Sequence, residues 1–215
     1  MMLALSVAIT VPLLLLVLLV DNAHTRFLLL FFIWGSTAGF LASEINGELL
    51  SMAGITLQVL KIQFAPLVEE LLKAVPLVLL WLVAPKYIQR REIVFAAVFA
   101  GFGFSLVENF SYLIQQQQLS SVALTQYVIT RSVSTTVMHG TTTGIIGATL
   151  YTLSGEALDA YGFKPLFALY GYCLAVLLHA LFNIVVLFAV LGQRIAILSG
   201  LVSYIVLWLL FRIRH

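Results

Sequence analysis

Long apolar stretches, separated by very few charges, constrain this chain more than any other feature of its sequence. A helix that crosses a bilayer needs roughly 20 apolar residues. Seven stretches approach that length: 2–20, 27–43, 62–84, 93–114, 127–153, 166–191 and 195–211. Only 9% of the 215 residues are charged, against about 25% in an ordinary soluble domain. The sequence therefore predicts an all-α, polytopic membrane helix bundle that forms a single transmembrane domain over residues 1–215.

The composition excludes several classes of protein. With 11 Lys and Arg and 9 Asp and Glu, the chain has too few charged side chains for a soluble globule or a disordered protein. Its net charge of +2 supplies no basic surface, so we expect no nucleic-acid partner. Cys173 is the only cysteine, which excludes an intrachain disulfide and a cysteine-based zinc site.

Lys and Arg in the short loops predict the orientation of the helices, because cytoplasmic loops carry an excess of them. If the N-terminus lies outside, the inner segments hold seven: Arg26, Lys86, Arg90, Arg91, Lys164, Arg212 and Arg214. The outer segments hold two, Lys61 and Arg194. This asymmetry predicts about seven transmembrane helices, N-outside and C-inside, with stretch 2–20 retained as a span. The segment near 49–60 is too short to span, so we predict an eighth, interfacial or re-entrant helix there.

Five charged side chains fall inside the apolar stretches, where each opposes membrane insertion by about 2.5 to 3.5 kcal/mol unless it is paired. They are Glu69, Glu70, Lys73, Glu108 and Arg131. Three more polar side chains lie in the fifth and sixth stretches: His139, His179 and Asn183. Counted at about 1.5 Å per residue, the carboxylates and imidazoles lie in the outer half of the bilayer or near its midplane. We therefore predict that they meet in one cluster.

Local spacing supports a polar face on each of these helices. Glu69 and Lys73 are four residues apart and share a face, as do His179 and Asn183. Pro66 and Pro76 flank the glutamates, and each proline leaves a helical carbonyl without its usual donor. This pattern is typical of a distorted helix beside a wet cavity.

Two chemistries suit carboxylates, imidazoles and an amide brought together away from lipid. A glutamate can act as general base on water while histidine and asparagine side chains stabilise an oxyanion. Alternatively, the same glutamates and histidines can hold Zn²⁺, which activates its bound water. Other intramembrane protease chemistries are not supported, because the sequence has no H-E-x-x-H, no G-x-S-x-G and no Asp in any of the stretches.

Four motifs in order on successive helices resemble the PrsW family of intramembrane proteases, within the superfamily of CAAX prenyl endopeptidases and bacteriocin-processing enzymes. They are E-E-x-x-K from Glu69, F-x-x-x-E-N from Phe104, His139-Gly140, and H-x-x-x-N from His179. The resemblance covers about residues 64–185, inside a motif-bearing core of about 62–191. The first two stretches and the last carry no motif.

The resemblance implies a role for each motif residue. In the CAAX-type relatives the first glutamate activates water and the H-x-x-x-N pair forms the oxyanion hole, which implies Glu69 as base and His179 and Asn183 as donors. This chain has Glu108 where those relatives have histidine, as PrsW members do, and that favours a metal site. The implied Zn²⁺ ligands are Glu70, Glu108, His139 and His179, with Lys73, Asn109 and Arg131 as supporting residues.

The resemblance also implies a substrate and a location. PrsW-like proteins cut membrane-tethered anti-sigma factors near the outer face, which agrees with the outer-half position of the cluster. We therefore expect a membrane-anchored protein substrate and a multi-pass protein of a prokaryotic cell membrane. The alternative is an ion- or proton-coupled transporter that uses the same buried glutamates and histidines.

Overall fold

The chain is α-helical wherever the structure describes it. The computed structural model describes residues 2–52, 54–84, 86, 91–116, 118–153 and 164–188, with seven isolated positions between 198 and 209. In these ranges there are six long helices, one short helix, a π-helical turn and no strand. The elements are α1 (Met2–Leu19), α2 (Ala23–Met52), α3 (Leu57–Val59), the π-helical turn (Leu60–Phe64), α4 (Ala65–Val83), α5 (Glu92–Gln115), α6 (Ser121–Leu153) and α7 (Lys164–Phe188).

The all-α prediction is confirmed, and each of the first six apolar stretches falls on one of the long helices. Among the described residues, three segments are long and apolar enough to cross a membrane: Ala23–Met52, Glu92–Gln115 and Ala168–Leu187. The seventh stretch, 195–211, lies largely outside the described residues. The number of seven spans and the N-outside orientation therefore stay predictions.

The prediction of a separate helix near 49–60 is wrong for the described residues of that range, which divide between the end of α2 and the short helix α3. Helix α2 continues through the polar residues that follow its apolar stretch and ends at Met52. Gly54 then adopts a φ of 59°, a left-handed conformation that glycine favours and that breaks the helix. Thr56 caps the next helix by accepting a hydrogen bond from the Val59 amide at 3.3 Å. The sequence prediction placed the end of the second stretch at residue 43, because an apolar stretch does not include the polar residues that continue the same helix.

Pro76 explains one contact between α2 and α4. Because proline has no N–H, the carbonyl of Leu72, four residues earlier, loses its usual helical donor. The indole of Trp34 on α2 donates to that carbonyl at 2.9 Å. The proline thus creates an acceptor that ties the two helices together.

Pro66 has a similar effect at the π-helical turn. The Ala65 amide donates to the Leu60 carbonyl, five residues back. Continuing that pattern would require an N–H from Pro66 for the Lys61 carbonyl, and proline has none. Asn183 on α7 donates its side-chain N–H to this carbonyl at 2.8 Å. This hydrogen bond holds the π-helical turn, which leads directly into α4, against α7.

Helix α5 lies between α2 and α6 and packs closely against both. A Cβ placed on Gly35 would overlap the carbonyl oxygen of Ala100, and one on Gly103 would overlap that of Phe32. On the other side, a Cβ on Gly101 would overlap the backbone at His139. Glycine therefore permits backbone contact on both faces of α5. This contact brings the site-bearing parts of α5 and α6 together.

Two glycines on the same helix provide a matched test of this packing. Gly35→Ala should lower the free energy of unfolding by about 1–3 kcal/mol, because the added methyl meets rigid backbone. Gly47→Ala should be neutral or stabilising by about 0.5–1 kcal/mol, because no atom lies within 4 Å of its Cβ position and alanine favours the helix. Unfolding by sodium dodecyl sulfate, followed by circular dichroism, measures both. Equal effects of the two changes would contradict close packing at Gly35.

Candidate active site

Glu70 on α4 is the centre of a buried polar network. Its Oε1 accepts hydrogen bonds from Lys73 Nζ at 2.7 Å and from Thr142 Oγ1 at 3.0 Å. His179 Nδ1 lies 2.8 Å from the same oxygen. Glu70 and Lys73 are both fully buried, so their charges compensate each other away from solvent. One carboxylate oxygen thus joins α4, α6 and α7.

Lys73 therefore pairs with Glu70, three residues away, although the spacing had suggested that it would face Glu69. Its ammonium also lies 3.0 Å from Nδ1 of His139. Because a protonated lysine offers only donors, His139 Nδ1 accepts, and its Nε2–H donates to Glu108 Oε2 at 2.8 Å. Both ring nitrogens of His139 are thus occupied, and the ring connects α4 to α5.

Arg131 on α6 is the counter-ion of Glu108. Its guanidinium lies 3.2 Å from Glu108 Oε1 and 3.6 Å from the centre of the Tyr112 ring. Asn109 supports this arrangement, since its Oδ1 accepts from Thr135 at 2.8 Å and from Arg131 Nε at 3.4 Å. Lys73, Arg131 and Asn109, the three supporting residues predicted from the sequence, all contact this network.

Glu69, like Glu70, has one buried carboxylate oxygen without a hydrogen-bond partner. Its Oε1 accepts from the Asn46 side chain at 3.2 Å, while Oε2 is buried and unpartnered. His179 Nε2 lies 3.7 Å from that Oε2, too far for a hydrogen bond. Since Nδ1 of His179 donates to Glu70, its Nε2 presents a lone pair toward Glu69. A free carboxylate oxygen and a free imidazole nitrogen therefore face each other.

Glu69, His139 and His179 form the group best suited to hold a metal ion among the described residues. Each has a ligand-type atom, and these atoms all lie within 4.8 Å of one another. To bind an ion, His139 would have to give up its contact with Lys73 or with Glu108. The two imidazole rings are perpendicular, with centroids 4.9 Å apart. Glu70 on His179 Nδ1 is the carboxylate contact that commonly orients a metal-binding histidine. The unpartnered Glu69 oxygen is a further feature that a cation would satisfy.

This group differs from the ligand set that the resemblance implied. That set contained Glu70 and Glu108 with the two histidines, whereas the structure groups Glu69 with them. Oε1 of Glu70 accepts from three donors while its Oε2 is buried without a hydrogen-bond partner, and both oxygens of Glu108 contact other side chains. Sequence spacing could not decide whether Glu69 or Glu70 is the ligand. The two residues are adjacent on one helix, and only the packing of that helix determines which of them faces the histidines.

Asn183 donates its side-chain N–H to the Lys61 carbonyl at 2.8 Å. Together with Glu69 and Glu108 it lines a cavity of about 320 Å³ between the π-helical turn and helices α4 to α7, which we name the α7 cavity. Its remaining lining residues are Lys61, Ala65, Tyr112, Tyr127, Thr130, Arg131, Ser134, Thr135, Met138, Phe182, Val186 and Leu187. The cluster is therefore reachable from a cavity large enough for part of a peptide.

Sequence reasoning missed two side chains in this network. Thr142 lies three residues after His139 on the same helix face, so the spacing could have indicated it. Asn46 had no such signal, because it follows the apolar part of α2 and belongs to none of the four motifs. It reaches Glu69 only because α2 stays helical beyond residue 43.

A bundle of apolar helices that encloses carboxylates and imidazoles beside a cavity has the features of a membrane-embedded hydrolase. The model of the PrsW family intramembrane metalloproteases matches residues 23–211, nearly the whole chain. The chain therefore belongs to the PrsW family, and it is an integral membrane protein of a protease family that acts on a protein substrate. No curated protein and no solved structure matches it. Nothing in the described part of the chain favours the transporter alternative.

The buried Glu70–Lys73 pair predicts a large effect on stability. Lys73→Met should lower the free energy of unfolding by about 3–5 kcal/mol, because it leaves a buried carboxylate unpaired. Lys61→Met is the matched control and should cost about 1 kcal/mol, because the Lys61 ammonium is half-buried and lies 5.0 Å from the Tyr112 ring centre. Detergent unfolding measures both changes. A cost at Lys73 no larger than at Lys61 would contradict the central role of Glu70.

Proposed function

We propose that this protein is an intramembrane endopeptidase that hydrolyses a peptide bond of a membrane-anchored protein, with Glu69 as the base that activates water. The observation that supports this most is the unpartnered Oε2 of Glu69, which is buried yet belongs to a residue that lines the α7 cavity. A carboxylate with a free oxygen at such a place can accept a proton from water. Glu70 also has an unpartnered Oε2, but it is not among the residues that line the α7 cavity. Glu108 lines the cavity, but both of its oxygens contact other side chains.

The proposed reaction needs few groups. Glu69 takes a proton from water, and the water oxygen bonds to the carbonyl carbon of the peptide. The resulting oxyanion accepts a hydrogen bond from the second amide N–H of Asn183. The carbon–nitrogen bond then breaks, and Glu69 returns the proton to the departing amine. The products are a new carboxyl terminus and a new amino terminus.

The same residues are suited to a divalent ion such as Zn²⁺. Glu69, His139 and His179 would hold it, with Glu70 orienting His179. When bound, such an ion supplies a water of lowered pKa and polarises the carbonyl. Glu108, which lines the same cavity, is then the carboxylate left to accept a proton. Without an ion, the buried charges Glu69, Glu70 and Glu108 against Lys73 and Arg131 sum to minus one, and with it they sum to plus one.

We further propose seven spans, N-outside and C-inside, in a prokaryotic cell membrane, and cleavage near the outer half of the bilayer. The positions of the site residues on their helices support a common depth for all of them in the bilayer. Glu69 lies near the start of α4, Glu108 in the second half of α5 and His179 in the second half of α7. Because successive helices alternate in direction, these positions are on the same side of the bundle. A membrane-tethered anti-sigma factor is a substrate of the proposed type.

Glu69→Gln tests the proposed base. The change keeps the size of the side chain and removes its ability to accept a proton, so kcat should fall by about 10²- to 10⁴-fold with KM nearly unchanged. Glu44→Gln is the matched control, because Glu44 is an exposed glutamate on α2 and should cleave like wild type. The measurement is cleavage of a membrane-tethered peptide by protein reconstituted in liposomes. Wild-type cleavage by Glu69→Gln would refute the proposal.

Metal analysis tests the proposed ion separately from activity. Wild-type protein and Glu44→Gln, loaded with zinc and washed, should retain about one zinc per chain, whereas His179→Gln should retain much less because a ligand is lost. Inductively coupled plasma mass spectrometry measures the ratio of zinc to protein. A wild-type sample that retains no zinc and is active in the presence of a chelator would contradict the metal and leave the metal-free Glu69 mechanism.

A further inference from the structure

A second cavity reaches Glu69 from the side opposite to α7. It has a volume of about 310 Å³, lies between α2, the π-helical turn, α4 and α5, and we name it the α2 cavity. It shares five lining residues with the α7 cavity: Lys61, Ala65, Glu69, Glu108 and Tyr112. Two routes therefore converge on the carboxylates, and Tyr112, with Lys61 5.0 Å from its ring centre, lies between them.

The exposed residues that line the α2 cavity include polar ones, although Leu57 on α3 is exposed there too. Ser43 and Gly47 on α2 and Gln115 at the end of α5 line it, and all three are exposed. Its volume has room for several water molecules. A hydrolase surrounded by lipid needs such a route, because water is one of its two substrates and does not accumulate among acyl chains.

Asn46 stands at the inner part of the α2 cavity and has an unsatisfied acceptor. Its Nδ2 donates to Glu69 Oε1 at 3.2 Å, while its Oδ1 is buried and has no hydrogen-bond partner. A buried polar oxygen without a donor costs about 1–3 kcal/mol, and an ordered water commonly supplies the donor. Asn46 lines the α2 cavity and not the α7 cavity. The lack of a donor for Asn46 Oδ1 therefore favours the presence of water in the α2 cavity.

Asn46 and Glu69, which already touch, thus each have one unpartnered oxygen. A water that donates one hydrogen to each of two acceptors keeps its oxygen lone pairs free for attack. We propose that the α2 cavity conducts water to Glu69 and that Asn46 positions the attacking water, while the peptide enters through the α7 cavity. This inference rests on the proposed function, since it assigns the source of the water that Glu69 activates.

Cysteine labelling tests the water route without any need for activity. In a Cys173→Ser background, which removes the exposed native thiol, Asn46→Cys should react with a charged, membrane-impermeant methanethiosulfonate. Leu71→Cys is the control: Leu71 is 57% exposed on the apolar surface of α4, where lipid keeps the reagent away. We expect Asn46→Cys to react at least about tenfold faster, because thiolate attack requires water. Equal or slower reaction of Asn46→Cys would overturn the water route.

Kinetics test the positioning role of Asn46. Asn46→Leu keeps the approximate volume but removes both polar atoms, so kcat should fall by about 10- to 100-fold while KM changes less than about twofold. Val186→Trp, which fills the α7 cavity, should instead raise KM. A lower kcat for Asn46→Leu at constant KM supports the proposal. An unchanged kcat, or a raised KM alone, overturns it.

A further variant covers the case in which Asn46→Leu does not fold. Gly47→Trp plugs the α2 cavity from a position where a Cβ meets no atom within 4 Å, and it too should lower kcat at constant KM. Unchanged kcat in folded Gly47→Trp counts against the water route. If wild-type protein cleaves no substrate, the proposed function fails, yet labelling of Asn46→Cys still decides whether water reaches Glu69.

Discussion

The arrangement of this site depends on one carboxylate oxygen. Oε1 of Glu70 contacts donors from α4, α6 and α7, so a single atom fixes the relative positions of three helices. In a low-dielectric interior, such contacts are strong when complete and costly when one partner is missing. Glu69 and Glu70 each keep one unpartnered oxygen, but of the two only Glu69 lines the α7 and α2 cavities. Two adjacent glutamates thus differ in chemistry: one organises the site, and the other is free to react.

The backbone prepares the positions from which these side chains act. The prolines that flank the glutamates leave carbonyls of Lys61 and Leu72 for donors on α7 and α2. Glycines on α5 let its backbone touch α2 and α6, which brings Glu108 within 2.8 Å of His139. Without a hydrophobic driving force between helices in lipid, close backbone contact and interhelical hydrogen bonds are the main sources of association. The residues that distort α4 therefore also attach it to its neighbours.

The sequence predicted the helical class and the meeting of the cluster, because charges in apolar helices are tolerated only when they find one another. It did not predict the pairing within the cluster. Lys73 satisfies the spacing rule with either glutamate, and only the packing of α6 and α7 selects Glu70. Asn46 was not predicted, because its role depends on α2 remaining helical past its apolar part. The prediction of a separate interfacial or re-entrant helix near 49–60 was wrong for the same reason, because α2 remains helical to Met52.

The central claim is that the cluster cleaves a peptide bond in the half of the bilayer where Glu69 lies. The most direct measurement is mass spectrometry of a single-span reporter protein after incubation with the enzyme in liposomes. The account predicts two fragments whose junction lies in or near the outer half of the span, and an intact reporter with Glu69→Gln. An intact reporter with wild-type enzyme, or a junction at the inner end of the span, would contradict it.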